Sequence, residues 1–483
     1  MANFYFDDTN SNQDPLDGAN WWDQPGGSGG GGTQYNYQPS ASDNCQIDAG
    51  RTCSTSAFSY SNLAVFGTLI NNASIVASIE VGGTVTTNAG TVTTNAGTVT
   101  TNTGTVTTNT GTVTTNASGG TVMTNTGAIT TNASGGTVSI NDIGGSVGQN
   151  YGSVGFNQGS ISTRMSGGST GTEYESANIP AGYTVTSLNA AITTNAGTVG
   201  TLEAGGDVGT NTGTITTNNG SVGQNSGIIT NRGYGGSTGT EYESVNIPYG
   251  YGVFNLAVSI ALNEGSINTL LGGYTVANNT GSIAYNGGIV TTNGGTVTTN
   301  GATVTTNVGS IDTNSGTVTV NSSTITSNTG IVTVNNSDVV YNSGTITDNN
   351  GATTFRVSGG ITTNEYQSAD IPAGYTVTSL NVSITNNYGV VTTNNATIGN
   401  NSGTITNNAG IITINAGLIV TNPSGGVVTN NHYEGAITNQ NGTLRIGTVT
   451  GGSGNLAAYA ATNLSNQTAG TNVTLPSGNT SWW

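Results

Sequence analysis

A seven-residue unit, Gly-Thr-Val-Thr-Thr-Asn followed by Ala or Thr, repeats five times without a gap from Gly83 to Ala117. A period of seven is typical of coiled coils, but each unit contains a glycine, which costs roughly 1 kcal/mol in a helix interior. The unit also lacks the charged flanking positions of a coiled coil. Its Thr-Val-Thr-Thr segment is β-branched and favours a short strand. Its Asn-x-Gly segment tolerates the left-handed backbone of a corner.

The same spacing persists where the residues change. A Val or Ile recurs every seven residues through eleven units from Val276 to Ile346, and an Asn follows each of them three residues later. A third run extends from Ile384 to Ile419, with its asparagines in step. Because the flanking residues vary freely, the pattern indicates a physical requirement for one β-branched residue and one Asn in each unit.

Stacking of units meets this requirement. A single unit buries little, but a coiled chain places each Val on a Val and each Asn on an Asn. Backbone groups then pair with the coils above and below, about 4.8 Å away, and Asn ladders satisfy the corner amides. The sequence therefore predicts an all-β fold, a parallel β-solenoid (β-helix) of seven-residue strand-turn units with Val or Ile inside and Thr outside. Two or three units in each coil are both compatible with the pattern.

Three segments, which we call cassettes, break this rhythm and resemble one another. Each contains Glu-Tyr, Ile-Pro and Gly-Tyr before an alternating strand, and an Arg precedes the first Tyr by ten residues. The Arg, Glu and Tyr of the three cassettes are Arg164, Glu173 and Tyr174; Arg232, Glu241 and Tyr242; and Arg356, Glu365 and Tyr366. We interpret each cassette as a loop or small module that leaves the solenoid and returns, held by an Arg–Glu pair and a Pro. The alternative is a Tyr-rich surface contact site.

These patterns divide the chain into alternating segments with distinct ends. The predicted segments are an N-terminal cap or attachment segment (1–62), solenoid (63–165), cassette 1 (166–189), solenoid (190–234), cassette 2 (235–262), solenoid (263–357), cassette 3 (358–383), solenoid (384–450) and a C-terminal cap (451–483). An open solenoid exposes unpaired edges, so its ends need caps or partners. The four tryptophans, Trp21, Trp22, Trp482 and Trp483, are the candidate attachment residues, because aromatic side chains commonly anchor interfaces.

Charge and hydropathy exclude two classes of partner. The net charge is −17, and the cationic residues are five arginines without any lysine. A phosphate backbone would be repelled, so we expect no nucleic-acid binding. No window approaches 18 consecutive apolar residues, so we expect no membrane span. The N-terminus has neither a basic start nor an apolar core, and we expect no secretory signal peptide.

The sequence offers little catalytic or metal-binding chemistry. His432, the one histidine, lies in a repeat corner, and HExxH and P-loop motifs are absent from the sequence. Acidic pairs that would serve a glycosidase are almost absent from the repeats. We therefore predict a protein that is not an enzyme and has no cofactor. Asp8, Asn10, Asn12 and Asp14 are spaced like the start of a Ca²⁺ loop but lack its Gly and closing Glu, and an Asx-rich surface loop is the alternative.

Two other patterns leave alternatives open. Cys45 and Cys53 form either a local disulfide or two free thiols. Thr-x-Thr pairs such as Thr84 and Thr86 resemble the threonine ladders of β-solenoid antifreeze proteins, a resemblance that implies ice binding. The threonine rows are regular along the sequence only over residues 84–115, and β propensity alone also places Thr on the outside of strands.

The N-terminal residues Asn3–Phe6 and Asn20–Trp22, followed by Gly/Ser-rich loops and a solenoid, resemble the layout of phage virion fibres and bacterial surface adhesins. The resemblance implies a structural fibre or decoration protein at the virion surface. Its expected partners are other virion proteins, further copies of the chain, for example in a trimer, and a host surface glycan or protein. A virion protein needs no signal peptide, which favours this interpretation. The alternatives are a type I-secreted adhesin or extracellular filament at the cell surface, and an ice-binding β-solenoid.

Overall fold

The structure is a computed structural model that describes residues 3–7, 13, 20–24, 32–35, 39–40, 43–54, 62–431, 436–440, 443–445 and 472–474. The chain divides into two compact units, Met1–Glu243 (unit 1) and Ser244–Trp483 (unit 2). The described residues form strands and turns and include no α-helix. The all-β prediction is therefore confirmed.

Unit 1 contains 28 of the strands. They are β1 (Asn3–Phe6), β2 (Trp21–Trp22), β3 (Gln34–Tyr35), β4 (Asn44–Ile47), β5 (Thr52–Cys53), β6 (Asn62–Val65), β7 (Thr68–Asn72), β8 (Ile75–Ile79), β9 (Thr84–Asn88), β10 (Thr91–Asn95), β11 (Thr98–Asn102), β12 (Thr105–Asn109), β13 (Thr112–Asn116), β14 (Thr121–Asn125), β15 (Ala128–Asn132), β16 (Thr137–Asn141), β17 (Ser146–Asn150), β18 (Ser153–Asn157), β19 (Ser160–Arg164), β20 (Ser169–Glu173), β21 (Thr184–Leu188), β22 (Ala191–Asn195), β23 (Thr198–Leu202), β24 (Asp207–Asn211), β25 (Thr214–Asn218), β26 (Ser221–Asn225), β27 (Ile228–Arg232) and β28 (Ser237–Glu241). Sheet A has the order β27-β25-β23-β21-β20-β18-β16-β14-β12-β10-β8-β6-β4-β1-β2-β3, and sheet B runs from β19 through the odd-numbered strands to β5. Sheet C contains β22, β24, β26 and β28 in that order.

Unit 2 contains the other 27 strands. They are β29 (Gly252–Leu256), β30 (Ile260–Asn263), β31 (Ser266–Leu270), β32 (Thr275–Asn279), β33 (Ser282–Asn286), β34 (Ile289–Asn293), β35 (Thr296–Asn300), β36 (Thr303–Asn307), β37 (Ser310–Asn314), β38 (Thr317–Asn321), β39 (Ile325–Asn328), β40 (Ile331–Asn335), β41 (Val339–Asn342), β42 (Thr345–Asn349), β43 (Thr353–Arg356), β44 (Ile361–Glu365), β45 (Thr376–Leu380), β46 (Ile384–Asn387), β47 (Val390–Asn394), β48 (Thr397–Asn401), β49 (Thr404–Asn408), β50 (Ile411–Asn415), β51 (Leu418–Asn422), β52 (Val427–Asn431), β53 (Ala436–Gln440), β54 (Thr443–Arg445) and β55 (Asn472–Thr474). Sheet D contains the odd-numbered strands from β29 to β43. Sheet E has the order β30-β32-β34-β36-β38-β40-β42-β44-β45-β47-β49-β51-β53, and sheet F has the order β46-β48-β50-β52-β54-β55.

Neighbouring strands of the regular coils are parallel and in register. Val85 of β9 is aligned with Val99 of β11, and Asn88 is aligned with Asn102. Because these partners are 14 residues apart, each coil contains two seven-residue units, one in each of two sheets. The predicted parallel β-solenoid is confirmed, and the number of units in a coil, which the sequence left open, is two.

The core of each coil comes from two strand positions. In β9 we number Thr84 as position 1 and Asn88 as position 5; positions 2 and 5 are buried, and the others are partly exposed. In a straight strand positions 2 and 5 would face opposite ways, so the strand bends between them. The side chains at position 2, such as Val85 and Val304, are fully buried. The prediction that Val and Ile lie inside is confirmed.

Position 5 carries a ladder of asparagines. Asn88 Nδ2 donates a hydrogen bond to Asn102 Oδ1 over 2.7 Å, and Asn102 Nδ2 donates to Asn116 Oδ1 over 2.8 Å. Asn88 Nδ2 also donates to the backbone carbonyl of Thr105 over 3.2 Å. An unsatisfied buried polar group costs about 1–3 kcal/mol. The stacked amides avoid this cost, which explains why Asn persists while its neighbours vary.

The corner glycines have two different causes. A Cβ on Gly97 would overlap the backbone carbonyl oxygen of Gly83 in the preceding coil, so the close stacking of seven-residue corners excludes a side chain. In the longer corner Asn-Ala-Ser-Gly-Gly, Gly119 has a φ of 82°, which favours glycine. The predicted left-handed backbone is therefore correct for the longer corners and wrong at Gly97, whose φ is not positive.

The first strands form a cap on unit 1. β1 pairs in parallel with β4 on one edge and antiparallel with β2 on the other. The ring of Phe6 meets Trp21 edge to face at 5.3 Å between centroids, and Trp21 and Trp22 are only 1% and 9% exposed. The expectation that these two tryptophans are attachment residues is wrong, because their indoles are buried within the unit. Trp482 and Trp483 lie outside the described residues.

The two cysteines are free thiols, and both are buried. Burial, together with the nearby charge of Asp43, raises the pKa of the Cys45 thiol to about 12. A thiol with such a pKa forms almost no thiolate near neutral pH and is chemically inert. Of the two alternatives left open by the sequence, the structure has the free thiols.

Replacing Val304 with Asp should destabilise unit 2 by several kcal/mol, because the carboxylate would lie between Val290 and Val318 without a partner. Thr305→Asp, one position further along the same strand, is the matched control and should stay within about 0.5 kcal/mol of the parent. Urea unfolding followed by circular dichroism measures both changes. An unchanged unfolding transition for Val304→Asp would contradict the core assignment.

Candidate functional site

The cassettes replace the ladder asparagines by charged side chains. Arg164 occupies position 5 of β19, aligned with Asn150, and Glu173 occupies position 5 of β20, aligned with Asn157. Arg164 Nη2 lies 2.8 Å from Glu173 Oε2, and the two side chains are 3% and 0% exposed. The structure thus contains the pair that the spacing predicts, and it places both members in the core.

The same ion pair is present in the other two cassettes. Nη2 of Arg232 lies 2.8 Å from Oε2 of Glu241 in unit 1, and Nη2 of Arg356 lies 2.9 Å from Oε2 of Glu365 in unit 2. Removing two charges from water costs free energy that their attraction largely offsets, so such a pair is weak evidence for added stability. The pair is better explained by a requirement for a carboxylate at position 5 of the strand that carries the glutamate.

In each cassette, a second side chain accepts a hydrogen bond from a backbone N–H at the open edge of a sheet. β19 is the last strand of sheet B, so no strand lies beyond it. The Ile161 N–H donates instead to Glu175 Oε2 over 2.9 Å, and Arg164 Nη2 donates to the same oxygen over 2.8 Å. In cassette 3 the Thr353 N–H donates to Gln367 Oε1 over 2.8 Å. The carboxylate or amide oxygen takes the place of a missing backbone carbonyl.

Tyr183, the second tyrosine of cassette 1, ends the ladder of sheet B. Asn150 Nδ2 donates to Tyr183 Oη over 2.8 Å, and this hydroxyl also bonds to Thr170 Oγ1 over 2.6 Å. Burial raises the pKa of Tyr183, which keeps the phenol neutral. Burial alone would lower the pKa of Arg164, but the adjacent carboxylates raise it above its ordinary value. Tyr375 has the role of Tyr183 in cassette 3. Neither tyrosine was among the predicted site residues, although the recurring Gly-Tyr of the cassettes was a signal for them.

Cassettes 1 and 3 stay within the solenoid. In cassette 1, β20 pairs directly with β21, and residues 174–183 between them replace one strand on the opposite face, where Ile179 bridges to Asn195. In cassette 3, β44 pairs with β45, and Ile371 bridges to Asn387. The expectation that a cassette leaves the solenoid is wrong for cassettes 1 and 3, because their strands keep the register of their sheets.

The first tyrosine of each cassette is exposed. Tyr174, Tyr242 and Tyr366 are 41%, 49% and 49% exposed. The ring of Tyr174 lies 5.2 Å from that of Phe156, also on the outside of sheet A. The alternative interpretation of the cassettes as contact sites requires this exposure.

A groove of 490 Å³ lies beside cassette 1, between β19 and residues 174–183. Ser162 and Thr163 line it from β19, Asn178 lines it from the crossing segment, and Thr194 lines it from β22. These side chains offer hydroxyl and amide groups. The guanidinium of Arg164, which also lines the groove, is engaged in the ion pairs.

The part of the chain that the structure describes has no group of three or more His, Cys, Asp or Glu side chains arranged to hold a metal ion. The candidate calcium residues Asp8, Asn10, Asn12 and Asp14, and His432, lie outside the described residues. Among the described residues, none belongs to a helix long and apolar enough to span a membrane.

No protein-family model, curated protein or solved structure matches this chain. The geometry and charge of the two units must therefore carry the functional inference.

Arg356→Leu alone should leave Glu365 buried without its cation and destabilise unit 2 by about 3–5 kcal/mol. The double variant Arg356→Leu/Glu365→Leu should lose much less, because Leu188 and Leu202 occupy position 5 of β21 and β23 and show that leucine fits there. Urea unfolding of the parent, both single variants and the double variant gives the coupling energy. Equal losses in the Arg356→Leu and double variants would show that the ion pair is not what holds the cassette.

Proposed function

We propose that this chain is a non-enzymatic structural fibre or decoration protein of a phage particle, located at the virion surface. The observation that carries the proposal is the uniform, internally satisfied core of each unit. Most coils repeat the same ladders of Val or Ile at position 2 and of Asn at position 5, so coils add length with little new chemistry. The 13 strands of sheet E alone extend on the order of 60 Å at about 4.8 Å for each strand. Such a solenoid is suited to hold one surface away from another.

The placement of the arginines supports an exposed role. Arg164, Arg232 and Arg356 lie in buried ion pairs, and the sequence contains no lysine. Proteolysis occurs mainly in exposed, flexible segments. Three of the five positions at which a trypsin-like protease would cut are therefore protected in the core, which suits a filament outside the cell.

The N-terminal strands support a fibre that is anchored at one end. Asn3–Phe6 and Asn20–Trp22 carry the resemblance to virion fibres and surface adhesins, and β1 and β2 lie at the start of unit 1, where β1 pairs with β2 and with β4. The proposed partners are other structural proteins of the virion and further copies of the chain.

If the proposal is correct, mass spectrometry of gradient-purified phage particles should detect the chain, and antibodies raised against the purified protein should label the particle surface in electron micrographs. The medium of uninfected host cells is the control and should lack the chain. Its presence in that medium would favour the secreted adhesin instead, and its absence from purified particles would contradict the fibre.

A row of threonines in unit 2 favours ice binding as a second candidate function. Position 3 of sheet E carries threonine in nine successive strands: Thr291, Thr305, Thr319, Thr333, Thr347, Thr363, Thr378, Thr392 and Thr406. The expectation that regular threonine rows are confined to residues 84–115 is wrong. Neighbouring threonines of a row come from every second seven-residue repeat, because each coil contains two repeats. Their χ1 angles are restricted, so the row presents hydroxyl groups at a spacing of about 4.8 Å.

Ice binding predicts that the purified chain shows thermal hysteresis, and that Thr333→Lys removes most of it by placing a charge in the middle of the row. Thr326→Lys is the matched control, because Thr326 occupies position 3 of β39 in sheet D, where the row is irregular. Thermal hysteresis is measured by nanolitre osmometry. A parent protein without hysteresis excludes this candidate, and equal loss in both variants excludes the row as the site.

A further inference from the structure

We infer that the groove beside cassette 1 binds a neutral oligosaccharide. The inference rests on the proposed function, since a fibre at a particle surface meets the glycans of a host envelope. It names the class of ligand and one binding site on unit 1. Four observations lead to it: the gap in the solenoid face, the chemistry of the lining, the use of the strand edge and the distribution of charge.

The gap arises because one strand is missing from a face of the solenoid. Sheet B ends at β19 and sheet C begins at β22. Residues 174–183 cross between them and bridge through Ile179 to Asn195 of β22, with no bridge to β19. The remaining groove of 490 Å³ lies within the range of about 300–1,000 Å³ that small-ligand sites occupy.

The lining suits a sugar. Ser162 and Thr163 are exposed at positions 3 and 4 of β19 and each offers a hydroxyl group that donates and accepts. Asn178 Oδ1 accepts from the Thr194 N–H over 2.9 Å, which orients the side chain and leaves its Nδ2 to donate. Pro180 adds an apolar surface beside these polar groups. Sugars present the same combination of hydroxyl groups and C–H faces.

The strand edge does not suit an extended peptide. A peptide that added a strand to β19 would need the free backbone groups of that edge. The Ile161 N–H already donates to Glu175 Oε2, and the Ile161 carbonyl accepts from Arg164 Nη1 over 3.3 Å. These side chains compete with a strand ladder, whereas the exposed hydroxyl groups of the same strand remain available to a ligand in the groove.

Charge selects a neutral ligand over an anionic one. The cation in the lining, Arg164, is engaged by the carboxylates of Glu173 and Glu175. The Glu175 side chain, which pairs with Arg164 of the lining, retains 23% exposure, and the net charge of the chain is −17. A sulfated or phosphorylated glycan would therefore meet repulsion without a free cation to offset it.

Cassette 3 provides a natural variant of the key amide. Asp370 stands where cassette 1 has Asn178, and it accepts hydrogen bonds from the backbone N–H and the Nδ2 of Asn386. An aspartate at this place therefore keeps the acceptor that the fold uses and removes the donor that a sugar would use. Asn178→Asp is thus a change that the fold tolerates and the proposed ligand does not.

The test is an array of neutral oligohexoses and N-acetylhexosamine oligomers, with heparin as the sulfated control, followed by titration calorimetry with the best neutral oligosaccharide. The full chain should bind a neutral oligosaccharide and not heparin. Asn178→Asp and Ser162→Gln, which fills the groove, should each weaken binding at least tenfold. Thr100→Gln should bind like the parent, because Thr100 occupies position 3 of β11 in the same sheet, away from the groove.

The inference is overturned if no neutral oligosaccharide binds, if heparin binds better, or if both groove variants bind as the parent does while circular dichroism shows them folded. Its outcome is separable from that of the fibre proposal. Particles that carry a chain unable to bind neutral oligosaccharides would refute the groove alone. Groove-dependent binding by a chain that is absent from particles would refute the fibre alone.

Discussion

The two units depend on one interaction, the hydrogen bond between asparagine side chains at position 5 of successive coils. Asn300 shows its direction: Oδ1 accepts from Asn286 in the coil before, and Nδ2 donates to Asn314 in the coil after, each over 2.7 Å. A buried amide needs a donor on one side and an acceptor on the other, and in the regular coils the amides in the same register supply both. The ladder therefore fixes which strands pair, and the Val ladder at position 2 follows in step.

Because the ladder is directional, its first asparagine lacks an asparagine donor for its Oδ1 and its last asparagine lacks an asparagine acceptor for its Nδ2. The first asparagines of the ladders in sheets A, C and E, Asn95, Asn195 and Asn263, have an Oδ1 without a hydrogen-bond partner among the described residues. The last asparagines need an acceptor instead, and the cassettes supply it. Asn157 donates to Glu173 Oε1 over 2.6 Å, and Asn150 donates to the Tyr183 hydroxyl. A buried carboxylate then requires a cation, which explains why arginine stands in the adjacent strand.

Most of the fold was predictable from the sequence, because its period reports a stacking requirement that acts on every coil. The buried Val304, the Asn ladder and the pairing of Arg164 with Glu173 all follow from spacing. The number of seven-residue repeats in a coil did not follow from the sequence. Both faces of the solenoid carry the same seven-residue pattern, and only the pairing of residues 14 apart shows that a coil contains two repeats. The burial of Trp21 depends on β2 folding back on β1, and the role of Tyr183 depends on β20 pairing with β21. Such long-range pairings leave no periodic signal.

The same logic indicates where such a protein can carry function. Within a ladder the inward amides are satisfied by the coils above and below, and the outward groups are largely threonines, so one coil offers a ligand little that the next does not. Distinct chemistry arises where a ladder stops: Asn178 lines the groove beside cassette 1, and Asp370 stands at the equivalent position of cassette 3. These two residues accept equivalent backbone hydrogen bonds yet differ in charge. The interruptions can therefore differ in charge and hydrogen-bonding groups while the ladders that hold them remain the same.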